Sequence, residues 1–485
     1  MPNRHASLHA SRTAIIALNN DVLLNIFHWY RLGNTTGVSD QGWNLERWWY
    51  KLIHVCRTWR QLILASPIRL DLHLVCTNGT PITTMLAYSP LWPLIIYYPG
   101  RPGDAMGKDK PNVLFALQHR ERVGRVHLTM PTANLPTLLN AMDGEYPALQ
   151  RLVVRSNPSR PVTASDTGVA LPAKLFAPLL RSLTLSNVRL PANSELLLRA
   201  EGLVTLDLLH IADTPELHPT HLVTQLARMT QLERLVIHHR TALPSRAVER
   251  TFSSARTTLP SLKLLSFRGS STYLESILAR LNAPALQTLF VDLFAQLTFD
   301  IPYLVRFVRA ASAAEGGFRF YAAELHFDSE TACVLLDPQA RSTARINPVQ
   351  LRVSCRAFDW QLAALAQICE ALAPLFAHVG GLTLGLHTNP GLDIESNSES
   401  RRAQWHALLR AFGGTKTLQL AGPRAGHLLR ELLPLPAELL PALQELLPGD
   451  DGEPSTAEDG EGGLAAFTVE REAAGCPVRV VRDWW

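Results

Sequence analysis

Leu232-Glu-Arg-Leu235-Val-Ile237, Leu262-Lys-Leu-Leu265-Ser-Phe267 and Leu286-Gln-Thr-Leu289-Phe-Val291 follow one another along the chain, and their reading decides the fold. Each is one phrase, L-x-x-L-x-hydrophobic. In an extended strand side chains alternate, so the last two apolar residues of each phrase point to one face and their neighbours to the other. Upstream the phrase recurs as Leu149-Gln-Arg-Leu152-Val-Val154, Leu180-Arg-Ser-Leu183-Thr-Leu185 and Leu203-Val-Thr-Leu206-Asp-Leu208, with Val126-His-Leu128 an earlier copy. Taking Val126, Leu152, Leu183, Leu206, Leu235, Leu265 and Leu289 as equivalent, the steps are 26, 31, 23, 29, 30 and 24 residues. Weaker copies follow at Leu325-His-Phe327, Leu351-Arg-Val353, Leu384-Gly-Leu386, Leu418-Gln-Leu420 and Leu443-Gln-Glu-Leu446.

Between the phrases lie stretches with helical spacing. Tyr273, Leu274, Ile277, Leu278 and Leu281 make one apolar face. Leu304, Phe307 and Val308 begin another, and Leu362, Leu365, Ile368, Cys369, Leu372 and Phe376 form a third. Pro147, Pro260 and Pro284 stand just before strands, where a helix must end. One strand with one helix cannot bury both apolar faces alone, whereas stacked copies bury them continuously. The expectation is an α/β leucine-rich-repeat solenoid with irregular repeats, parallel strands and helices on the convex side. A doubly wound parallel sheet also alternates strand and helix, but no glycine-rich phosphate loop follows any strand.

Residues 18–70 differ. Leu18, Val22, Leu23, Ile26, Phe27 and Tyr30 fall on one helical stripe behind candidate N-caps Asn19, Asn20 and Asp21. Leu52, Val55, Cys56, Trp59, Leu62 and Ile63 form a second stripe beyond the polar connection Gly33–Gln41. Leu18-Asn-Asn-Asp-Val-Leu-Leu-Asn-Ile-Phe27 followed by Leu52-Ile-His-Val-Cys-Arg-Thr-Trp59-Arg60 resembles the F-box. Ser66-Pro67, Leu70-Asp-Leu72-His-Leu74 and the ending Ala474-Gly-Cys-Pro-Val-Arg-Val-Val481 resemble fungal F-box/leucine-rich-repeat proteins in particular. Asn19 stands where that family usually has Pro, and Leu32–Trp48 is longer than its common connection.

The resemblance implies a substrate receptor of a cullin–RING (SCF) ubiquitin ligase. A Skp-family adaptor would dock on the N-terminal helices and a protein substrate on the repeats. Carried over by position, Leu18, Val22, Leu23, Ile26, Phe27, Val55, Cys56, Trp59 and Leu62 are the adaptor-facing or module-core set. The competing reading is a leucine-rich-repeat interaction scaffold unconnected with ubiquitin, its N-terminal helices only capping the array.

Composition bounds the rest. Of 485 residues, 47% are hydrophobic and 18% charged, with a formal net charge of +4. So modest a charge speaks against a dedicated nucleic-acid binder. Glu445–Glu461 holds seven acidic residues and no basic one, leaving the remainder a surplus of +11 (the +4 total less the −7 of this segment). Cys56, Cys76, Cys333, Cys355, Cys369 and Cys476 show neither paired nor metal-finger spacing, and read as free thiols in a reducing compartment. The apolar run Ala14–Leu18 is too short for a signal-peptide core, so the cytoplasm, the nucleus or both are the expected location, with no membrane partner. No G-x-S-x-G, H-E-x-x-H or phosphate-loop motif occurs. His5 and His9 lack a carboxylate partner, and Trp48-Trp49 and Trp484-Trp485 read as packing residues. The expectation is a chain that is not an enzyme and takes no cofactor or metal.

The domain reading is a disordered tail over 1–17, the helical module over 18–70, the repeats over 71–447, an acidic disordered loop over 448–463 and a capping segment over 464–485. Strand alternation assigns Arg151, Val153, Arg155, Ser182, Thr184, Arg234, Val236, His238, Ser266, Arg268, Phe290, Asp292, Glu324, His326 and Arg352 to the concave face. The basic members, Arg151, Arg155, Arg234, His238, Arg268 and Arg352, are the candidate substrate contacts, suited to an acidic or phosphorylated segment. Of His238 and His239, one is expected to face in and the other out.

Overall fold

The computed structural model describes residues 18–34, 48–88, 92–99, 109–157, 168–191, 194–211, 217–240, 256–294, 296, 298–313, 320–337, 349–386, 399–422, 428, 432, 439–448 and 457–481. The expected tail 1–17, most of the Gly33–Gln41 connection and the acidic stretch 449–456 lie outside these, as do His5, His9 and Trp484-Trp485. Two compact units divide the chain: residues 1–163 with 168–200, and residues 201–485 with 164–167.

The first unit begins with helices α1 (Asn20–Asn34), α2 (Trp49–Ile53), α3 (Arg57–Ala65) and α4 (Pro67–Leu70). It continues as β1 (Leu74–Cys76), α5 (Ile82–Tyr88), β2 (Leu94–Pro99), α6 (Lys110–Gln118), β3 (Val123–Pro131), α7 (Leu135–Ala141), β4 (Arg151–Asn157), β5 (Val169–Ala170), β6 (Ser182–Ser186), β7 (Val188–Arg189) and α8 (Glu195–Leu198). Strands β1, β2, β3, β4 and β6 pair in that order, all parallel. The array therefore starts two strands before Val126. Leu94-Ile-Ile-Tyr-Tyr hides this start, because both of its faces are apolar and buried, so it shows no alternation.

The second unit runs β8 (Thr205–Ile211), α9 (Pro219–Leu226), β9 (Arg234–His239), β10 (Thr257–Thr258), β11 (Leu264–Gly269), α10 (Ser271–Leu278), β12 (Leu281–Asn282), β13 (Thr288–Phe294) and α11 (Pro302–Ala313). There follow β14 (Ala322–Phe327), β15 (Thr331–Asp337), β16 (Val349–Ser354), α12 (Phe358–Leu372), β17 (Gly381–Leu386), α13 (Glu399–Arg410), β18 (Thr417–Ala421), β19 (Glu445–Leu447), α14 (Ala457–Ala473) and β20 (Arg479–Val480). The chain is thus mixed α/β with a large, mostly parallel sheet.

The phrase L-x-x-L-x-hydrophobic has a definite job in this ladder. Its first leucine closes a turn: Leu149 N donates to Tyr146 O, Leu180 N to Ala177 O, Leu232 N to Met229 O and Leu262 N to Leu259 O. The next amide crosses to the preceding repeat, as Gln150 N to Gly124 O and Lys263 N to Glu233 O. Only then does the strand begin, with Leu152, Leu183, Leu206, Leu235, Leu265 and Leu289 buried in register. Burying each such leucine contributes on the order of 2 kcal/mol, and truncating one to Ala costs about 2–5. Successive helices pack on one another, α9 on α10, α10 on α11 and α12 on α13, and α10 also packs against β11. The Glu275 carboxylate on α10 accepts from Tyr303 N (2.7 Å) and Leu304 N (2.8 Å), satisfying free amides at the start of α11.

The expectation of strands stacked in chain order fails in one place. After α11 the chain passes over two strand positions to β14, returns as antiparallel β15 and only then lays β16 parallel to β13. β17 then resumes beside β14. The turn Asp328–Thr331 makes this possible, its carboxylate accepting from Glu330 N (2.8 Å), Thr331 N (2.7 Å) and Thr331 Oγ1 (2.9 Å). Burial raises the Asp328 pKa, but these bonds and nearby Arg352 outweigh it and hold the carboxyl below its ordinary value. Gln361 of α12, fully buried, ties the insertion down by donating to Asp328 O (2.8 Å) and Cys355 O (2.6 Å).

Two further expectations are corrected. The stripe from Leu52 to Ile63 is not one helix: Cys56 is extended (φ −158°, ψ 168°) and caps α3, its Sγ accepting from Trp59 N. The loop expected over 448–463 gives way at Ala457 to α14. That helix is anchored from its C-terminal half, where Phe467 and Arg471 are buried and Arg471 Nη2 donates to Leu440 O (2.9 Å). Its glycines weaken helix propensity, and packing overrides them.

Candidate interaction surfaces

Helix α1 has two apolar faces rather than one. Leu23, Leu24 and Phe27 turn inward, and Phe27 meets Trp59 edge-on (centroids 4.8 Å apart). Leu18, Val22 and Ile26 are exposed, as is Trp29 at 71%. Of the resemblance set, Leu23 and Phe27 are module core, Trp59 and Leu62 are half-buried, and Leu18, Val22, Ile26, Val55 and Cys56 are exposed. Ion pairs fix this geometry: Arg69–Asp21 (2.6 Å) and Arg31–Asp71 (3.1 Å), with Arg31 also donating to Leu70 O. Among the candidate caps Asn19 does the work, its Oδ1 accepting from Asp21 N (3.2 Å).

In the second unit one row of the open sheet face runs across the strands at a single register: His238, Arg268, Asp292, Arg352, Cys333, His326. Arg268 Nε lies 3.4 Å from Asp292, and Asp292 accepts from Ser354 Oγ (2.8 Å). Arg234 pairs with Asp207 (2.9 Å) and His326 with Glu324 (3.0 Å). Ser266, Phe290 and Glu324 keep the expected half-exposed outward position, whereas Val236 is buried. Arg234 and Arg268, expected as free substrate contacts, thus already face carboxylates on neighbouring strands, a pairing set by register and invisible in a single strand. On the first unit's open face Arg125 stands beside Arg151, and Arg155 two alternations further along, while Val153 and Thr184 are buried. None of the residues forming β1, β2, β3, β4 and β6 is acidic.

His239 faces in and His238 out. His239 lies among Tyr273 (centroids 4.4 Å) and Phe267 (6.0 Å), with neither ring nitrogen hydrogen-bonded, and burial and neighbouring His238 push its pKa down to about 4. A Cβ on Gly269 would come within 2.7 Å of the Phe267 ring and 3.0 Å of His239, so glycine is what lets these rings close up. Burial pushes the Cys333 thiol up to about 11 and the Cys369 thiol further, which keeps both protonated and poor nucleophiles. Among the described residues no group of three or more His, Cys, Asp or Glu has metal-holding geometry. No helix among them is long and apolar enough to cross a membrane.

No family model matches the chain. No curated protein matches it either. Among solved structures it is similar to the leucine-rich repeat-containing protein LegL7 from Legionella pneumophila, at 14% identity and a TM-score of 0.25, over 76% of this chain and 96% of that one.

Proposed function

We propose that this chain is a non-catalytic recognition protein of the F-box/leucine-rich-repeat kind, acting as a substrate receptor in a cullin–RING ubiquitin ligase. Its N-terminal helices dock a Skp-family adaptor and the open strand face holds a protein substrate. The observation that carries this reading is the doubled apolar character of α1: once Leu23, Leu24 and Phe27 have filled the module's interior, Leu18, Val22, Ile26 and Trp29 still face solvent. A helix that is apolar on its outer side fits a partner's helical groove.

The test is capture by a purified Skp-family adaptor, comparing the wild-type chain with Ile26→Asp and Val22→Asp. Both positions are exposed, so the folded state survives and adaptor binding falls at least tenfold. Phe27→Asp is unsuitable, because it places a charge in the module's core. Full retention of binding in both variants overturns docking through this stripe.

A second reading, an interaction scaffold whose helices only cap the array, is favoured by the ties between module and first repeats. Arg31 reaches Leu70 O and Asp71, and Trp49 meets Trp92 edge-on at 5.3 Å. Failure of the wild-type chain to bind any Skp-family adaptor favours that reading.

A further inference from the structure

Across the middle of the second unit's open face a single register runs through Val236, Ser266, Phe290, Gln350, Leu335 and Glu324. Alternation turns these side chains away from the core, which takes their strand neighbours Leu265, Leu289 and Val334 instead. Val236 is buried, but Phe290 and Leu335 are only half-buried and keep apolar surface in water. Leu264, one alternation before Ser266 on β11, does the same. Gln350 on β16 stands between Phe290 and Leu335, pairing in register with both. Neighbouring strands are about 4.8 Å apart, so two apolar side chains flank one amide over a span of about 10 Å.

The charges around this line are matched among themselves. On outward positions of the strands from β8 to β16, Arg234, Arg268 and Arg352 stand among Asp207, Asp292, Glu324 and Asp337. Arg234 pairs with Asp207, Arg268 with Asp292 and His326 with Glu324. An acidic or phosphorylated ligand would therefore meet at least as many carboxylates as guanidiniums here. Gln350 is differently placed: its side-chain amide makes no hydrogen bond among the described residues. An amide carries two donors and an acceptor oxygen without charge, which suits a partner's main chain. The face thus offers apolar area on both sides of a neutral donor and acceptor.

We propose that Phe290, Gln350 and Leu335 form a docking place for an uncharged segment of a partner protein. That segment lays a leucine- or phenylalanine-sized side chain against Phe290 and Leu335 and engages Gln350 through its backbone. This rests on the reading of the open strand face as the surface that holds a protein substrate, and it names the chemistry of that substrate. Apolar anchors inside a rim of charged side chains are where binding energy concentrates in protein interfaces. Because the rim charges are paired with one another, added salt has little to screen.

The test selects phage-displayed random linear peptides on the full-length chain. The expected products are uncharged around a Leu or Phe, and their affinity changes less than twofold between about 0.1 and about 0.5 M salt. Phe290→Ser weakens a selected peptide at least tenfold, and Gln350→Ala weakens it severalfold. Leu335→Gln, which keeps the bulk of the side chain, weakens it severalfold without unfolding the chain. Acidic peptides that salt releases, peptides that bind Gln350→Ala and Leu335→Gln as they bind the wild type, or an empty selection overturn the site. Skp-family adaptor capture is measured on the same proteins. A wild-type chain that captures no adaptor but selects uncharged peptides sensitive to these substitutions supports the site and speaks only against the ligase reading.

Discussion

The open faces of the two units are built from the same strand phrase and differ in how they treat arginine. In the second unit Arg234 meets Asp207, and Arg268 and Arg352 flank Asp292. In the first, Arg125, Arg151 and Arg155 occupy equivalent outward positions on strands that contribute no carboxylate. Equal periodicity thus leaves the electrostatics of a surface free to vary, because strand side chains meet their charge partners across the ladder and not along it. The first face takes no carboxylate from its own strands, whereas the second spends much of its charge on pairing across the ladder.

The largest effect expected from probing this contrast lies just beneath the second face. Folded His239 is neutral, with a pKa of about 4, whereas the unfolded chain's histidine protonates near 6.5. As pH drops through this window the unfolded state gains the proton first. Stability is therefore full above 6.5 and falls by up to about 3 kcal/mol by pH 4. In His239→Leu this part of the acid slope disappears in denaturant melts from pH 7 to 4, whatever the substitution costs at pH 7. An unchanged slope breaks the assignment.

A middle-sized effect separates the faces themselves. Asp292→Ala leaves Arg268 without its carboxylate and Ser354 without its acceptor, at a cost of about 1–2 kcal/mol after allowance for their partial exposure. Arg155→Gln on the first face changes stability by less than about 0.5 kcal/mol. Equal losses in the two melts would erase the distinction drawn here.

The smallest expected effect is a gain. His210→Gly relieves a left-handed residue and stabilises the chain by about 1 kcal/mol. A loss of stability would show that the His210 ring supports the bulge rather than being supported by it.

Much of this was legible in the sequence. Leu152, Leu183, Leu206, Leu235, Leu265 and Leu289 announce buried strand positions because alternation is a local property, and His239 inside with His238 outside follows from the same rule. The antiparallel strand Thr331–Asp337 was not legible, since Ala332, Cys333, Val334 and Leu336 present a mixed run without the leucine phrase. Its turn relies on one aspartate that accepts from two backbone amides and the Thr331 hydroxyl. Cys56 as a cap escaped for a related reason: an apolar stripe continues across it, and only the backbone reveals the break. Of the adaptor-facing set the stripe pattern alone could not tell Ile26 from Phe27, because both halves of α1 are apolar and the difference lies in what each touches.

The out-of-order strand also has a kinetic consequence. A repeat array grows by nearest-neighbour addition, each unit templated by the one before it. At β13 that zipper has no next tooth in chain order: its partner β16 joins Leu289 to Val349, with the β14–β15 hairpin in between along the chain. The long loop must close before any pairing offsets its entropy. Growth from either end therefore halts at this junction, which becomes the slow, shared step in assembling the second unit and the place where a shortened array fails to fold.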